Sequence, residues 1–246
     1  MRLSKSWIIA VKDFSTFRRK KNIIYSTLGV PILVSLLIPT VLRIAEARKP
    51  VTLALAVPHL LPAFAFFFLF LAGVTPTTIA SYTIVGEKVE RSLEPLLATP
   101  TTDGEILVGK GIAAFVPPYI AILLGSVIFM VLADAVTHVA LGYNYFPNGN
   151  ASLVLFLLVP LGAVMSVAWN VIVSSRVSDV RVAQQIGMLF ALPLVGIYVA
   201  GELNLIALGD SGVLLRIAGA LALADVILMY LAIATFRRDE ILTRWR

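Results

Sequence analysis

There is no cysteine in this chain, and only two histidines stand among its 246 residues. The first absence removes disulfides, thiolate zinc sites and cysteine nucleophiles together. His59 and His138 are far apart, with no partner at metal-ligand spacing, so no metal site is expected. Charge is scarce too. Asp, Glu, Lys and Arg make up 14% of the residues, against about 25% in soluble domains, while 59% are hydrophobic. A soluble fold with so few charges would expose large apolar patches. A disordered chain would be poor in apolar residues, which this one is not. The phosphate-loop pattern G-x-x-x-x-G-K-[ST] is missing, Gly109-Lys110-Gly111 being its nearest fragment, as are H-E-x-x-H and G-x-S-x-G. The sequence therefore predicts no catalytic residues, no cofactor in this chain and no enzyme activity of its own.

What is present is a mean hydropathy of +0.93, gathered into six apolar stretches. A helix needs about 20 apolar residues to cross ~30 Å of hydrocarbon. The stretches 23–42, 60–84, 106–132, 153–173, 182–200 and 213–236 meet that length or nearly do. The fifth is the shortest, with Gln184 and Gln185 at one end and Pro193 inside. The predicted fold class is all-α: a polytopic membrane protein of six transmembrane helices, one domain over residues 1–246.

The basic residues set its orientation. Seven of the 20 Lys and Arg precede Ile23, and four follow Phe236. With Lys88, Arg91, Lys110, Arg176 and Arg181, 16 fall on one side of a six-span chain. Arg43, Arg48, Lys49 and Arg216 fall on the other. The positive-inside rule then predicts a multi-pass protein of the cell membrane with both termini in the cytoplasm. Basic flanks on apolar spans also argue against nucleic acid, which calls for a basic stripe with interleaved aromatics.

Residues 1–22 read as a basic amphipathic helix, not as a signal peptide. Trp7, Val11, Phe14 and Phe17 recur at helical spacing, with Lys12, Asp13 and Arg19 elsewhere on the wheel. That pattern predicts an interfacial helix in contact with membrane lipids. Between the second and third spans, residues 86–105 run Gly86-Glu87-Lys88-Val89-Glu90-Arg91-Ser92-Leu93-Glu94-Pro95-Leu96-Leu97 and on to Thr102-Asp103-Gly104-Glu105. Leu93, Leu96 and Leu97 form a small apolar face ringed by charge, which suits a groove on a soluble partner. Thr102 with Glu105 three residues on is a capping box for the next helix.

The run G-E-K-x-E-R-S-L-E-P-L-L-A-T-P, following a basic N-terminal helix in a six-span chain, resembles the ABC type-2 exporter permeases. The resemblance extends over essentially the whole chain. It implies that residues 86–105 hold a cytoplasmic coupling helix. Glu87, Glu90, Arg91, Leu93, Glu94, Leu96 and Leu97 would then touch a separate ATPase subunit, where ATP and Mg bind. Ser174 to Gln185 is similar to the family's second cytoplasmic loop, with Arg176, Asp179 and Arg181 as a second contact. The resemblance further implies a second permease subunit, as a homodimer or close heterodimer around a shared route. The second and fifth spans border that route in the family. On the second span, Phe64, Phe68, Thr75, Thr78 and Tyr82 are therefore candidates for pathway lining or for helix packing. Asp225 is the outstanding intramembrane charge, about 16 Å from the end of the last span. It is expected either to hydrogen-bond a Ser, Tyr or Asn and lock helices together, or to contact substrate or protons. An ion-driven secondary carrier and a non-transporting membrane scaffold are the alternatives. A carrier would be expected to show inverted repeats with polar midplane sites, and no convincing repeat is visible.

Overall fold

The structure is a computed structural model that describes residues 3–48, 50–90, 92, 99–203 and 205–236. Among them the chain is all helical. Helix α1 (Leu3–Arg19) is separated by Lys20 alone from α2 (Lys21–Arg48). Helix α3 (Pro50–Ser81) runs through a π-helical turn (Tyr82–Gly86) into the short α4 (Glu87–Val89). Helix α5 (Asp103–Leu141) follows the loop. Then come α6 (Gly149–Leu153), a second π-helical turn (Val154–Leu158) and α7 (Val159–Arg176). Helices α8 (Val180–Leu189), α9 (Leu192–Glu202) and α10 (Ser211–Thr235) complete the order.

Six of these runs are long and apolar enough to span a bilayer: Lys21–Ile44, Leu60–Val89, Asp103–His138, Gly149–Arg176, Val180–Glu202 and Ser211–Thr235. The helices overrun the apolar windows of the sequence. Arg43 and Arg48, beyond the first apolar stretch at 23–42, lie inside α2. Arginine is a good helix former, and its long side chain reaches water from a helix end. The fifth span is broken. Its helix stops at Phe190–Ala191, just before Pro193, which lacks an N–H to continue the ladder.

The second and fourth spans form the centre, 67% and 61% buried over their most apolar stretches. The fifth is only 22% buried, so most of its surface faces outward. Phe66, Phe68, Leu69 and Ala72 of the second span pack with Leu158, Val159 and Ala163 of the fourth and Phe129 of the third. Gly162 permits that approach, because a Cβ there would lie 2.6 Å from Leu69 Cδ1.

Helix α1 lies across the start of the third span. Its protein-facing stripe is Ser6, Ile9, Ala10, Asp13 and Phe17. A Cβ at Gly109 would meet Ser6 O at 2.7 Å and Ile9 Cβ at 2.8 Å, so that glycine seats the helix. Trp7 and Val11 are exposed, and Phe14 is half-buried. Phe17, read from the wheel as part of the same apolar face, is instead 7% exposed on the protein side, and Asp13, read as polar surface, is 2% exposed. A charge on a helix is pulled inward only if a counter-charge waits there, and that partner comes from another element.

At the opposite end of the bundle the loops are tied by polar contacts. Asp134 Oδ1 accepts from the backbone N–H of Tyr145 and Phe146 at 3.0 and 3.1 Å. The Asn150 side-chain amide donates to Gly209 O.

Candidate functional site

The end of the bundle that carries α1 also carries the loop between the second and third spans. Lys110 sits two turns into the third span and is 1% exposed. Its ammonium donates to Glu87 Oε2 at 2.6 Å and to Thr83 O at 2.5 Å. Asp13 Oδ2 stands 3.6 Å away, an ion pair too long for a hydrogen bond. Three elements therefore meet on one buried cation. The π-helical turn at Tyr82–Gly86 helps, since widened turns of this kind recur at functional sites and shift the backbone ladder beside them.

Around this core lies a ring of lysine contacts. Lys12 donates to Glu87 Oε1 at 2.8 Å, and Lys20 to Glu90 Oε1 at 2.5 Å. The Lys20 ammonium also stands 5.6 Å from the Tyr82 ring centre. Lys5 donates to Pro100 O at 2.6 Å, at the far end of the loop. Lys88, 5% exposed, donates to Ser174 O at 2.7 Å and Ser175 O at 3.3 Å. Those carbonyls belong to the last turn of the fourth span. The end of the second span is thus fastened to α1, to the third span and to the fourth, and the loop beyond it to Lys20 and Lys5. Burial pushes the Asp13 carboxyl up to about 6, although Lys110 and Lys12 pull it down; the Glu87 charge adds to the rise. The Thr102–Glu105 capping box is formed: Glu105 N–H donates to Thr102 Oγ1 at 3.3 Å, and Thr102 N–H to Glu105 Oε2 at 3.1 Å.

A neutral knot joins the second, fourth and fifth spans just above. Asn170 Oδ1 accepts from Ser81 Oγ at 2.9 Å and Ser174 Oγ at 3.1 Å. Gly187 of the fifth span lies against the Asn170 amide, where a Cβ would be 2.2 Å from Nδ2. Trp169 stacks on Phe190 at 4.6 Å between ring centres, and its indole N–H donates to Ile186 O at 3.3 Å. Phe190 N–H bonds Gly187 O instead of Ile186 O, so Trp169 satisfies a carbonyl that the break in the fifth span set free.

The residues expected from sequence fall into separate groups. Glu87 and Glu90 belong to the charge cluster. Arg91, Leu93, Glu94, Leu96 and Leu97 lie outside the described residues. Arg176, Asp179 and Arg181 are exposed at the same end, and Asp179 caps the fifth span by accepting from Arg181 N–H at 2.6 Å. Phe68 is buried against Phe129, ring centres 5.6 Å apart, and Phe64 is half-buried. Thr75 is buried and donates to Leu71 O within its own helix, while Thr78 and Tyr82 are half-buried. Asp225 is 7% exposed on the face of the sixth span that packs against the fourth. Neither of its oxygens has a hydrogen-bond partner among the described residues, so the expected Ser, Tyr or Asn partner is not found there.

Sequence reasoning missed Lys110, Asp13, Lys88 and Asn170 as site residues. The signal for Lys110 was present: a lysine after Ile106-Leu107-Val108, inside a long apolar run, asks for a buried partner. The charge count took it only as a cation flanking the loop.

Residues 7–232 match the family described as ABC-2 family transporter protein. The chain belongs to the ABC-2 transporter family. It is a membrane permease of an ABC transporter. A comparison with curated proteins finds no match.

Proposed function

We propose that this permease is one half of an exporter: a single-domain membrane subunit that pairs with a second permease and couples to separate ATPase subunits. ATP and Mg bind in those subunits. Both termini and the 86–105 loop face the cytoplasm, in agreement with 16 of 20 basic residues on that side. The observation that carries the reading is the buried Lys110 ammonium with Glu87 and Asp13 on it. A loop that merely joins two helices needs no such anchorage. A loop that transmits force does, because displacement at its tip must reach the spans before it dissipates. Lys88 on the carbonyls of Ser174 and Ser175 extends the same rigid unit to the fourth span.

In this mechanism Leu93, Leu96 and Leu97 fill a groove on the ATPase, and Glu90, Arg91 and Glu94 set its orientation. Arg176, Asp179 and Arg181 form the second contact at the start of the fifth span. Closure of the ATPase pair moves the loop, α1 and the third span together. The half-buried Phe64, Thr78 and Tyr82 lie on the second span where the route is placed. The test is capture of a co-expressed ABC ATPase subunit that the purified wild-type protein binds, repeated with the double variant Leu93→Ala/Leu96→Ala. Each buried leucine contributes about 1.5–3 kcal/mol, so docking should weaken by roughly 10²-fold or more. Unchanged capture together with unchanged substrate-stimulated hydrolysis would sink the proposal.

A further inference from the structure

Helix α1 has three faces. Its stripe of Ser6, Ile9, Ala10, Asp13 and Phe17 faces the protein. At about 100° of turn per residue, Lys5 and Lys12 share a line along one edge of that stripe. Lys12 donates to Glu87 at the end of the second span, and Lys5 to Pro100 O in the loop beyond. Leu3, Trp7, Val11 and Phe14 share the other edge, roughly 150° around the helix from the lysines. Leu3, Trp7 and Val11 are exposed, and Trp7 meets Phe14 edge-on with ring centres 6.4 Å apart. The lysine edge thus turns to the end of the bundle. The apolar edge turns the opposite way, along the spans, where the first span exposes Leu28, Val30 and Leu33.

The cations of this segment divide in the same way. Lys5, Lys12 and Lys20 are engaged by the loop and the span end. Arg18, Arg19 and Lys21 are exposed, and none of them makes an ion pair among the described residues. Arg18 follows Phe14 by one turn on the apolar edge, so its stem can lie over apolar surface while its guanidinium stands at the rim. Lys21 opens the first span, and Tyr25, one turn on, is exposed. Basic residues and an exposed tyrosine where a span begins mark the level of the lipid headgroups. A zwitterionic headgroup brings its own ammonium and gains little from more cations. A headgroup with net negative charge is the complement of three that are unpaired.

We propose that α1 is an anionic-lipid anchor: Leu3, Trp7, Val11 and Phe14 enter the leaflet, and Arg18, Arg19 and Lys21 hold the phosphate of an anionic phospholipid. Under the orientation given above this is the cytoplasmic leaflet, but the site itself does not depend on ATPase coupling. The lipid holds the outer side of a helix whose inner side is held by Gly109 and Lys110 of the third span.

The experiment has two arms, both on the full chain. In the first, delipidated protein in mild detergent is offered dioleoylphosphatidylglycerol or dioleoylphosphatidylcholine, and bound lipid is counted by native mass spectrometry. Wild type should bind the phosphatidylglycerol roughly 10²-fold more tightly, at about fivefold per cation. Arg18→Gln/Arg19→Gln/Lys21→Gln should lose that preference, and Arg18→Lys/Arg19→Lys should keep it. Arg43→Gln/Arg216→Gln, which removes two exposed charges at the opposite end, should keep it too. If the triple variant does not fold, Arg18→Gln alone takes its place, with a loss of about fivefold. In the second arm, Val11→Cys gives this cysteine-free chain a single site for a bimane fluorophore, read in vesicles that contain phosphatidylglycerol. A lipid bearing a nitroxide near its headgroup should quench the probe, and aqueous iodide should not. Equal binding of both lipids by wild type, full preference in the folded neutralised variant, or quenching by iodide and not by lipid would each overturn the assignment. Capture of the ATPase is read separately and is untouched by any of these outcomes.

Discussion

Removing the Lys110 ammonium should be the most damaging single change at the end of the bundle that carries α1. Lys110→Met keeps the side-chain length and deletes the charge. In the native protein that ammonium satisfies Glu87 Oε2 at 2.6 Å and faces Asp13 Oδ2 at 3.6 Å, itself 1% exposed. Without it two carboxylates approach each other in a buried site, and Thr83 O loses its donor. Breaking a buried pair by removing one partner costs about 3–5 kcal/mol. Lys12 still holds Glu87, and Asp13 can take a proton, its pKa already standing at about 6. The lower end of that range, ~3 kcal/mol, is therefore expected at pH 7.5, or a midpoint fall of roughly 6–12 °C. At pH 5 the deficit should shrink, because a neutral Asp13 needs no cation. Replacing all three charges in Asp13→Leu/Glu87→Met/Lys110→Met should restore much of the stability, as apolar triads often replace buried ionic ones without loss. The assay is thermal unfolding in detergent, followed by tryptophan fluorescence with size-exclusion chromatography as a check. If Lys110→Met melts within 1 °C of wild type at pH 7.5, the buried cluster does not hold the loop.

Three further outcomes follow from particular contacts. The Asp13 pKa is raised from 3.8 to about 6, so the native state binds the extra proton between these values. Its contribution is thus present below pH 4 and lost as pH rises through 6, and Asp13→Asn should flatten that slope in melting midpoints taken from pH 4 to 7.5. Asp225→Leu should leave stability unchanged or raise it, since the change removes a buried carboxyl with no partner among the described residues; a loss above about 1 kcal/mol in the same melting assay would reveal a partner. If instead Asp225→Asn keeps the melting point and abolishes transport, the carboxyl acts on substrate or protons. Gly187→Val should cost about 1–3 kcal/mol, because a Cβ 2.2 Å from Asn170 Nδ2 must displace an amide held by Ser81 and Ser174; normal chromatographic behaviour and melting would refute that packing.

The sequence by itself determined the class, the span count and the cap that starts the third span. These are legible because each is local. A run of about 20 apolar residues can satisfy its backbone in a bilayer only as a helix. A threonine followed at three residues by glutamate bonds its own helix end, and Thr102 and Glu105 do so. Pro193 likewise foretold trouble in the fifth span, because a missing N–H is a property of one residue. Only the tertiary structure decided which charges are buried. Asp13 reads as polar surface on the α1 wheel and Lys110 as a loop-flanking cation, yet they meet across 97 positions of chain. Their burial depends on Gly109 letting α1 approach and on a π-helical turn presenting Thr83 and Glu87, and neither effect is carried by hydropathy. The same holds for Phe68, whose type fits lipid, pathway and core equally well. Its neighbour Phe129, supplied by another span, places it in the core.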